Sequence, residues 1–520
     1  MTSAERRIDG SLLALAMLGS GALSLWFGQD FNADQTHYHY YLGWSLLAGR
    51  LDRDIAPAGI GTYLNPVLHV PTYLGVTYLP PRLFGSLLGA VHGLNAFLAY
   101  RLAAYVLEGR RWRLAMAAVA GWMVALGPEA RTLLGTTFGD NLASVPAMAA
   151  LLLLVSGAAR GQISGSRVVL IGVLAGVATG LKLTLVVFHI ALAAAVAVLS
   201  FRNRSVRLPL AFVLGSLLGG LASGGYWAWQ LWQRFGNPVF PLANAVFKSP
   251  FHQAANFRDG RFQTRGIRDL WQFPADMAVG QTRRFQEIAF RDPRYLVLLG
   301  AAVGAFLHLL LRRRFERPAG SLAAALVLVY WFTAYVTWLR LFCYHRYFAM
   351  GEFVAPVAVL ALLVLVFRSR LAPTWLALAA VVVLGAAGRG WGRIPWAHSW
   401  YNVRLPTLAA ERGAAVIVDG AGMSYVLPSF PPEDRFFSVW QLAGFTPLVE
   451  RQLREHEGPI FRLTRGDQPP TPGMIEQFDL LDTGDCEMVK TRVFRMGLCR
   501  LSRIPTTGPG PAPAPSSARR

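Results

Sequence analysis

The sequence is short of charged residues. Asp, Glu, Lys and Arg make up 15% of its 520 residues, against about 25% in ordinary soluble domains, while 54% are hydrophobic. This composition excludes an ordinary soluble domain and indicates an integral membrane protein. Acidic residues are fewer than basic residues, 29 against 50, so the formal net charge is +21. The basic residues are almost all arginine, in short clusters between apolar stretches, which favours topology signals over a nucleic-acid-binding surface.

Three further patterns are missing. The first apolar run, 10–27, follows Arg6 and Arg7 but ends without a small-residue cleavage site, so we interpret it as a retained helix rather than a signal peptide. The segment DGAGMS (419–424) lacks the full glycine pattern of a dinucleotide-binding loop. No repeat of about 20 to 50 residues is apparent, which argues against a repeat architecture.

Eleven apolar stretches are predicted to cross the bilayer as helices. They are residues 10–27, 82–107, 114–127, 140–157, 168–181, 183–201, 208–232, 295–311, 320–340, 347–366 and 374–390. The run 168–201 is divided at Lys182, because a lysine at the centre of a membrane helix costs about 2.5 to 3.5 kcal/mol and a hairpin with Lys182 at its tip avoids that cost. With this division, every segment that lies on the same side of the membrane as the N-terminus is basic. Short cytoplasmic segments collect Lys and Arg, so this predicts a cytoplasmic N-terminus.

The long connecting segments then fall on the outer side. Residues 28–81 mix Tyr and Trp with aliphatic residues, as an interfacial helix does, and are predicted to lie along the membrane surface. The loop 233–294 contains prolines that exclude a regular helix over 236–251, which predicts an ordered loop next to the membrane. We therefore place the working surface outside the cytoplasm.

The C-terminal region has the pattern of a small α/β domain. Strands are predicted at 414–420, 435–440 and 459–466, with further strand signal around 486–499 and a helix at 446–458. This divides the chain into a transmembrane part, 1–390, an extracytoplasmic domain, 391–503, and a disordered tail, 504–520. If the domain lies outside the cytoplasm, Cys486 and Cys499 are candidates for a disulfide.

Two acids stand at the outer border of the first span. Asp30 and Asp34 occur in FGQDFNADQTHYHYYLGW (27–44). Within it, DQTHY (34–38) is similar to the Asp-Glu-x-x-Tyr stretch in the first loop of the aminoarabinose transferases, with Gln35 in place of the second acid. A first helix, a large external loop that opens with an acidic motif, many short spans and a C-terminal external domain together resemble the GT-C superfamily of polyprenyl-phosphate-dependent glycosyltransferases, which also includes protein O-mannosyltransferases.

The resemblance implies a polytopic α-helical membrane protein of GT-C type, with about eleven transmembrane helices and a small extracytoplasmic α/β domain. It implies transfer of a sugar, with inversion, from a polyprenyl-phosphate donor to a cell-envelope glycan, lipid or protein. Asp34 is the candidate general base, since an ionised carboxylate can take the proton of an acceptor hydroxyl. Asp140, a second-loop acid in GTTFGDN, is the next candidate, and Asp30 the third.

The leaving phosphate needs cations rather than an acid. Lys182, Arg346 and Arg340 are the candidate phosphate ligands, because each is predicted at the outer end of a span. His37, Tyr38 and His39 are candidates for hydrogen bonding to the acceptor or at the interface. Two histidines two positions apart point in different directions on a helix, so ligand spacing does not support a divalent metal, although the sequence leaves one open. Gln35 weakens any role that needs adjacent acids.

Plainer interpretations remain open. Asp30 and Asp34 could be solvated loop carboxylates, Asp140 could cap a helix, Lys182 could extend to the interface, and Arg346 could be an interfacial anchor. Rival functions are a membrane transporter or lipid flippase, a non-catalytic scaffold, and a ligase that uses a lipid diphosphate. The Arg- and Ala-rich composition favours a bacterial inner membrane, with membrane lipids and a lipid donor as partners and no nucleic acid.

Overall fold

The computed structural model describes residues 3–256, 259–264, 266–281, 283–311, 319–366, 390–466 and 471–504. Almost all of the eleventh predicted span and of the predicted disordered tail lies outside the described residues. The chain divides into two compact units. The helical unit comprises Met1–Ala48 and Tyr63–Trp400, and the sheet unit comprises Gly49–Thr62 and Tyr401–Arg520.

The helical unit consists mainly of helices. They are α1 (Ser3–Phe27), α2 (Tyr40–Leu47), α3 (Val70–Tyr78), α4 (Pro81–Val106), α5 (Arg113–Ala125), α6 (Pro128–Leu133), α7 (Asp140–Ala159), α8 (Gly165–Leu181), α9 (Val186–Asn203), α10 (Arg207–Gly220), α11 (Tyr226–Phe235), α12 (Asn244–Phe247), α13 (Asp269–Val279), α14 (Arg294–Leu311), α15 (Ser321–Leu341) and α16 (Ala349–Val366). One turn of π-helix, Leu221–Gly225, joins α10 and α11 into one long rod.

Among the described residues, seven helical stretches are long and apolar enough to cross a membrane, and three shorter apolar helices accompany them. Each of the first ten predicted spans coincides with one of these ten, and all but the first differ from it by a few residues at most. The polytopic helical fold is therefore as the apolar pattern predicted, because apolar length and helix-terminating residues are local signals.

The break at Lys182 is present. Lys182 has extended backbone angles, φ −144° and ψ 106°, directly after α8 ends at Leu181. A single 3₁₀ turn leads into α9, and the Thr179 hydroxyl lies 3.1 Å from His189 Nδ1, so the two helices meet beside the break. The run 168–201 is thus two helices, as the cost of a mid-helix lysine predicted.

Helix α16 lies at the centre of this unit. Of the 18 most apolar consecutive residues of the span that contains it, His345–Leu365, 94% are buried, whereas the corresponding share for α1 is 17%. Aromatic side chains from the neighbouring helices pack against its start, including Trp338 at 4.9 Å between ring centroids from Phe348. A charged residue placed just before α16 is therefore carried into the interior of the unit.

The second long loop contains more helix than predicted. Residues 28–81 include α2 and α3, which agrees with their interfacial-helix pattern. Residues 233–294 include α13, which the prediction of a loop missed, and the four-residue helix α12 lies within 236–251. Residues 237–243 form turns, as the prolines required. A two-stranded pairing of β1 (Gln29–Asp30) with β2 (Arg393–Ile394) ties the first loop to the far end of the helical unit.

The sheet unit has five strands in the order β4-β3-β5-β7-β6. They are β3 (Ala415–Val418), β4 (Arg435–Phe437), β5 (Ile460–Arg465), β6 (Leu480–Lys490) and β7 (Arg495–Arg503). The first three are parallel and β7 is antiparallel to both neighbours. The helix Thr446–Arg454 is α17 here. Every strand and the helix predicted for this region are present.

The division of the chain differs from the predicted one at two places. The pairing of β2 with β1 keeps residues up to Trp400 in the helical unit, rather than beginning the second unit at 391. Residues Gly49–Thr62, predicted to lie along the membrane surface, belong to the sheet unit. There the Ile55 amide donates to Phe436 O at 2.9 Å, and the Ser438 amide donates to Ile55 O at 2.8 Å.

Candidate active site

Asp34 pairs with Arg346 although 312 positions separate them in the chain. Arg346 Nη1 donates to Asp34 Oδ2 at 2.9 Å, and the Tyr38 hydroxyl donates to the same oxygen at 3.1 Å. The Asp34 side chain is 26% exposed and that of Arg346 is 10% exposed. Asp34 is therefore neither a solvated loop carboxylate nor sealed from a substrate, and Arg346 does more than anchor an interface.

Lys182 pairs with the second predicted acid, Asp140. Their charged atoms are 2.6 Å apart, and Lys182 Nζ also donates to Phe138 O at 3.0 Å. The Lys182 side chain is 17% exposed, so it does not extend into solvent. Asp140 is the first residue of α7, where an acid suits the helix dipole, and its Oδ2 has no hydrogen-bond partner among the described residues.

The two ion pairs form one cluster. Lys182 interacts electrostatically with Asp34 and Arg346 as well as with Asp140, and Arg346 interacts with Asp140. We call these four residues the charged cluster. Its two carboxylates and two cations are formally neutral together, so an incoming anion would leave one carboxylate without its cation.

Aromatic rings surround the Arg346 guanidinium. Its centre lies 4.2 Å from the Phe138 ring and 5.3 Å from the Tyr344 ring, with Tyr347 and Trp391 slightly farther away. Such stacking holds a guanidinium while leaving its N–H groups available in the plane. Within the described part of the chain, buried Nε of Arg346 has no acceptor. An anion would supply one.

Asp30 has a different position from Asp34. It is buried, and its Oδ2 accepts hydrogen bonds from the Thr137 amide, the Thr137 hydroxyl and Asn32 Nδ2 at 2.8, 3.0 and 2.7 Å. Burial raises the pKa of Asp30, against the opposing effect of Arg393 and these hydrogen bonds. Asp30 therefore holds the chain around Thr137 in place.

Arg393 holds the same turn from the other side. It donates to Leu134 O at 2.6 Å and, less closely, to the carbonyls of Thr132 and Gly135. The turn 134–138 thus has fixed carbonyl and amide positions, and it presents Phe138 O to Lys182 and the Phe138 ring to Arg346. This turn is what brings the two ion pairs together.

Three histidines line the site next to Asp34. His39 and His69 stack with ring centroids 4.4 Å apart, and His37 lies one ring away, past Tyr38. Burial lowers the pKa of His37 to about 4 and that of His69 to about 3, and lowers that of His39 as well. All three rings are therefore neutral near pH 7.

The charge states of the cluster follow from its pairing. Burial acts to raise the pKa of Asp34, but the Arg346 guanidinium and the hydrogen bonds from Arg346 and Tyr38 outweigh it, so the pKa lies below its usual 3.8. Burial lowers the pKa of Lys182, in part opposed by Asp140. Asp34 is ionised at neutral pH, and as long as Arg346 stays paired with it, it is a weak base.

Not every predicted residue belongs here. Arg340 is exposed near the end of α15, unlike buried Arg346. Cys486 and Cys499 form a disulfide between β6 and β7 in the sheet unit. In the described residues, one group of three potential metal ligands lies within ligand distance, Asp482 with these two cysteines, and the disulfide removes both thiolates from it.

Several residues of the site carried no signal in the sequence. They are Asn32, His69, Thr137, Phe138, Tyr347 and Arg393. The motif GTTFGDN (135–141), singled out for Asp140, already contained Thr137 and Phe138. An uncharged threonine or a phenylalanine in a loop carries no signal of its own, and only the neighbouring acid marked the motif.

The chain has a structural likeness to a known protein. No protein-family sequence model matches the chain, and no curated protein matches it. Among solved structures, the chain is similar to the crystal structure of ArnT from Cupriavidus metallidurans bound to undecaprenyl phosphate, with a TM-score of 0.37 and 12% identity. The match covers 96% of this chain and 98% of that one. The function proposed below rests on the geometry of the charged cluster.

Proposed function

We propose that this protein is an integral membrane glycosyltransferase that moves a sugar from a polyprenyl-phosphate donor to an acceptor outside the cytoplasm. The observation that supports it is the charged cluster: a partly exposed carboxylate, Asp34, lies with two cations, Arg346 and Lys182, where apolar helices begin or end. A lipid donor needs this combination, because its tail lies in the bilayer and its phosphate lies at the border.

Arg346 and Lys182 bind the phosphate. A phosphate oxygen near Arg346 would meet the unpartnered Nε and could replace the bond that Nη1 makes to Asp34. Lys182 contributes a second positive charge beside the leaving oxygen, where negative charge develops in the transition state. The aromatic rings around Arg346 exclude water, which lowers the local dielectric constant and strengthens the attraction of both cations for the phosphate.

Binding of the donor also activates Asp34. When the phosphate draws Arg346 away, the carboxylate loses the partner that lowers its pKa and becomes a better base. The acceptor hydroxyl oxygen then attacks the anomeric carbon as its proton moves to Asp34. The new carbon–oxygen bond forms as the bond to the phosphate oxygen breaks, and the electron pair leaves with the lipid phosphate. Attack from the face opposite the phosphate inverts the anomeric carbon.

The remaining features follow the topology of the chain. We place the N-terminus in the cytoplasm and the sheet unit outside it, in a bacterial inner membrane, because the short basic segments then lie inside. The acceptor is a cell-envelope glycan, a lipid or a protein. The Asp30–Thr137 hydrogen bonds and Arg393 have positioning roles around the cluster.

Asp34→Asn tests the proposal. Turnover of a polyprenyl-phosphate sugar by purified protein should fall by about 10²- to 10⁴-fold, the usual contribution of a general base, while expression and insertion are unchanged. Asp485→Asn, which alters an exposed carboxylate of the sheet unit, is the matched control and should keep full turnover. Full turnover in Asp34→Asn would exclude Asp34 as the base, whereas no turnover by the wild-type protein would contradict the proposal and favour a transporter, a flippase or a scaffold.

A second candidate is a ligase that uses a lipid diphosphate. The three histidines beside Asp34, together with Arg346, favour it, since a diphosphate donor relies on Arg and His more than on a carboxylate. Purified protein offered a polyprenyl monophosphate sugar and a polyprenyl diphosphate sugar separates the two. Consumption of the diphosphate sugar alone would support the ligase and contradict our first proposal.

A further inference from the structure

The Thr137 hydroxyl joins Asp30 to His39. Its oxygen lies 3.0 Å from Asp30 Oδ2, 3.0 Å from Asn32 Nδ2 and 3.1 Å from His39 Nδ1. A threonine hydroxyl has one proton to donate and two lone pairs that accept. The Asn32 amide nitrogen can only donate, so it occupies one lone pair. One proton and one lone pair remain for Asp30 and His39.

Asp30 receives the Thr137 proton. Its Oδ2 already accepts from the Thr137 amide and from Asn32 Nδ2, and a carboxylate oxygen with these donors around it is an acceptor. The remaining lone pair of Thr137 then accepts from His39, which must carry its proton on Nδ1. His39 is thus the Nδ1–H tautomer, and its Nε2 has a free lone pair.

Nε2 of His39 has no partner in the described chain. The residue is only 1% exposed, so the ring as a whole is buried. The stacked ring of His69 has a similar atom, since its buried Nδ1 also lacks a partner among the described residues. Polar atoms of buried side chains are seldom left without a hydrogen bond, so these two stacked rings point to a bound ligand.

The surroundings of His39 define which ligand group would bind. His39 interacts electrostatically with both cations of the charged cluster, Lys182 and Arg346, and its pKa is lowered first by burial and then by neighbouring groups that include these cations. The ring therefore stays neutral and does not add a third positive charge for the phosphate. A neutral acceptor next to a phosphate-binding pair suits an uncharged donor group, and the hydroxyl groups of a sugar are such donors.

We propose that His39 accepts a hydrogen bond, through Nε2, from a hydroxyl group of the sugar attached to the bound phosphate, and that Thr137 and Asp30 position it for this by selecting the tautomer. This inference rests on the proposed function, because it assigns the sugar subsite of the same donor. It makes His39 a residue that recognises the sugar rather than the phosphate or the lipid.

Two substitutions separate the ring nitrogens. His39→Asn places an amide near the position of Nδ1, which keeps the contact to Thr137 and loses Nε2, whereas His39→Gln places an amide near the position of Nε2. The probes are bare polyprenyl phosphate and polyprenyl phosphates that carry glucose, mannose or arabinose, and binding is measured by native mass spectrometry. We expect His39→Asn to weaken the preferred sugar lipid about tenfold and bare lipid phosphate hardly at all, with a smaller loss in His39→Gln.

The outcomes distinguish the two proposals. If bare polyprenyl phosphate does not bind the wild-type protein, the proposed function and this inference both fail. If bare polyprenyl phosphate binds but no sugar-carrying lipid binds more tightly, this inference alone fails. It also fails alone if His39→Asn binds both kinds of lipid with wild-type affinity. Equal losses for both lipids in His39→Asn would also overturn it, because His39 would then serve the phosphate or the fold.

The tautomer can be measured without any ligand. In protein labelled with ¹⁵N-histidine, the His39 signals are assigned by comparison with His39→Gln. We expect a protonated Nδ1 and an unprotonated Nε2 in the wild type and in Thr137→Ser, and loss of this fixed tautomer in Thr137→Val. A proton on Nε2 in the wild type would overturn the assignment, whatever the lipid measurements show.

Discussion

Both units bury ion pairs, and the pairs differ in how fully they are satisfied. In the sheet unit Arg50 donates to both carboxylate oxygens of Asp54, at 2.9 and 2.6 Å, and also to the carbonyls of Pro432 and Asp434. Every guanidinium nitrogen has an acceptor there. In the charged cluster, Arg346 Nε and Asp140 Oδ2 have no partner among the described residues.

The difference separates a structural ion pair from a binding site. The desolvation of a buried pair is offset only when its remaining donors and acceptors are also used, as they are around Arg50. The charged cluster leaves that capacity unused, and Asp34 keeps a quarter of its side chain exposed. A buried charge alone therefore does not identify a binding site. A buried charged cluster that has unpartnered donors and acceptors and a partly exposed side chain does.

The largest effect on lipid binding is expected in the charged cluster. Arg346→Gln and Lys182→Gln should each weaken binding of polyprenyl phosphate by about 10- to 100-fold, since each removes a charged hydrogen bond to the phosphate. Arg500→Gln, on the surface of the sheet unit, is the control and should leave the affinity unchanged. Unaltered lipid affinity in both cluster variants would mean that these cations do not bind a phosphate.

Arg50→Met tests the Arg50–Asp54 pair, in which every guanidinium nitrogen has an acceptor. It leaves Asp54 buried without its cation, so the sheet unit should lose about 3 to 5 kcal/mol of stability, visible as earlier unfolding and faster proteolysis of the full chain. The double variant Arg50→Met/Asp54→Leu should recover most of that loss, because it removes both charges. The folded fraction of the Arg50→Met variant should bind polyprenyl phosphate with the same affinity as the wild-type protein. A loss of affinity would show that this pair is not structural alone.

The smallest effect concerns pH. Burial raises the pKa of Asp434 to about 6, opposed by backbone hydrogen bonds from Ala414 and Gly413, so folding favours its protonated form. The contribution to stability is present below the usual pKa of 3.8 and is lost as the pH rises through about 6. The sheet unit should therefore unfold more easily at pH 7 than at pH 5, and Asp434→Asn should flatten this dependence. An unchanged slope in the variant would exclude Asp434 as its origin.

Much of the fold could be predicted from local pattern. Ten helices lie where apolar runs were found, and the strands of the sheet unit lie where alternating or apolar runs meet turn residues. The helix break at Lys182 followed from the cost of a charge in the bilayer. Helix α13 was missed because three prolines earlier in the same loop favoured an irregular segment, and Gly49–Thr62 was misplaced because its strand partner lies almost 400 positions later.

The candidate site was predictable only in part. Asp34, Asp140, Lys182 and Arg346 stood out because they are predicted at the outer ends of apolar runs, where few charged residues occur. Asp34 ranked above Asp30 through the resemblance of DQTHY (34–38) to a family motif, because the local sequence does not show what surrounds either acid. One is enclosed by Thr137 and Asn32, and the other faces Arg346.

The sequence by itself determined which segments are helices, which are strands, and which few charges lie at helix ends, because apolar length, turn residues and the cost of a buried charge all act over short stretches of chain. Only the tertiary structure decided which charges meet. Arg346 reaches Asp34 because α16 is buried at the centre of the helical unit, and Lys182 reaches the same place because the turn 134–138 is fixed by Asp30 and Arg393. Contacts across hundreds of positions depend on how helices pack, and no local pattern in the sequence records that.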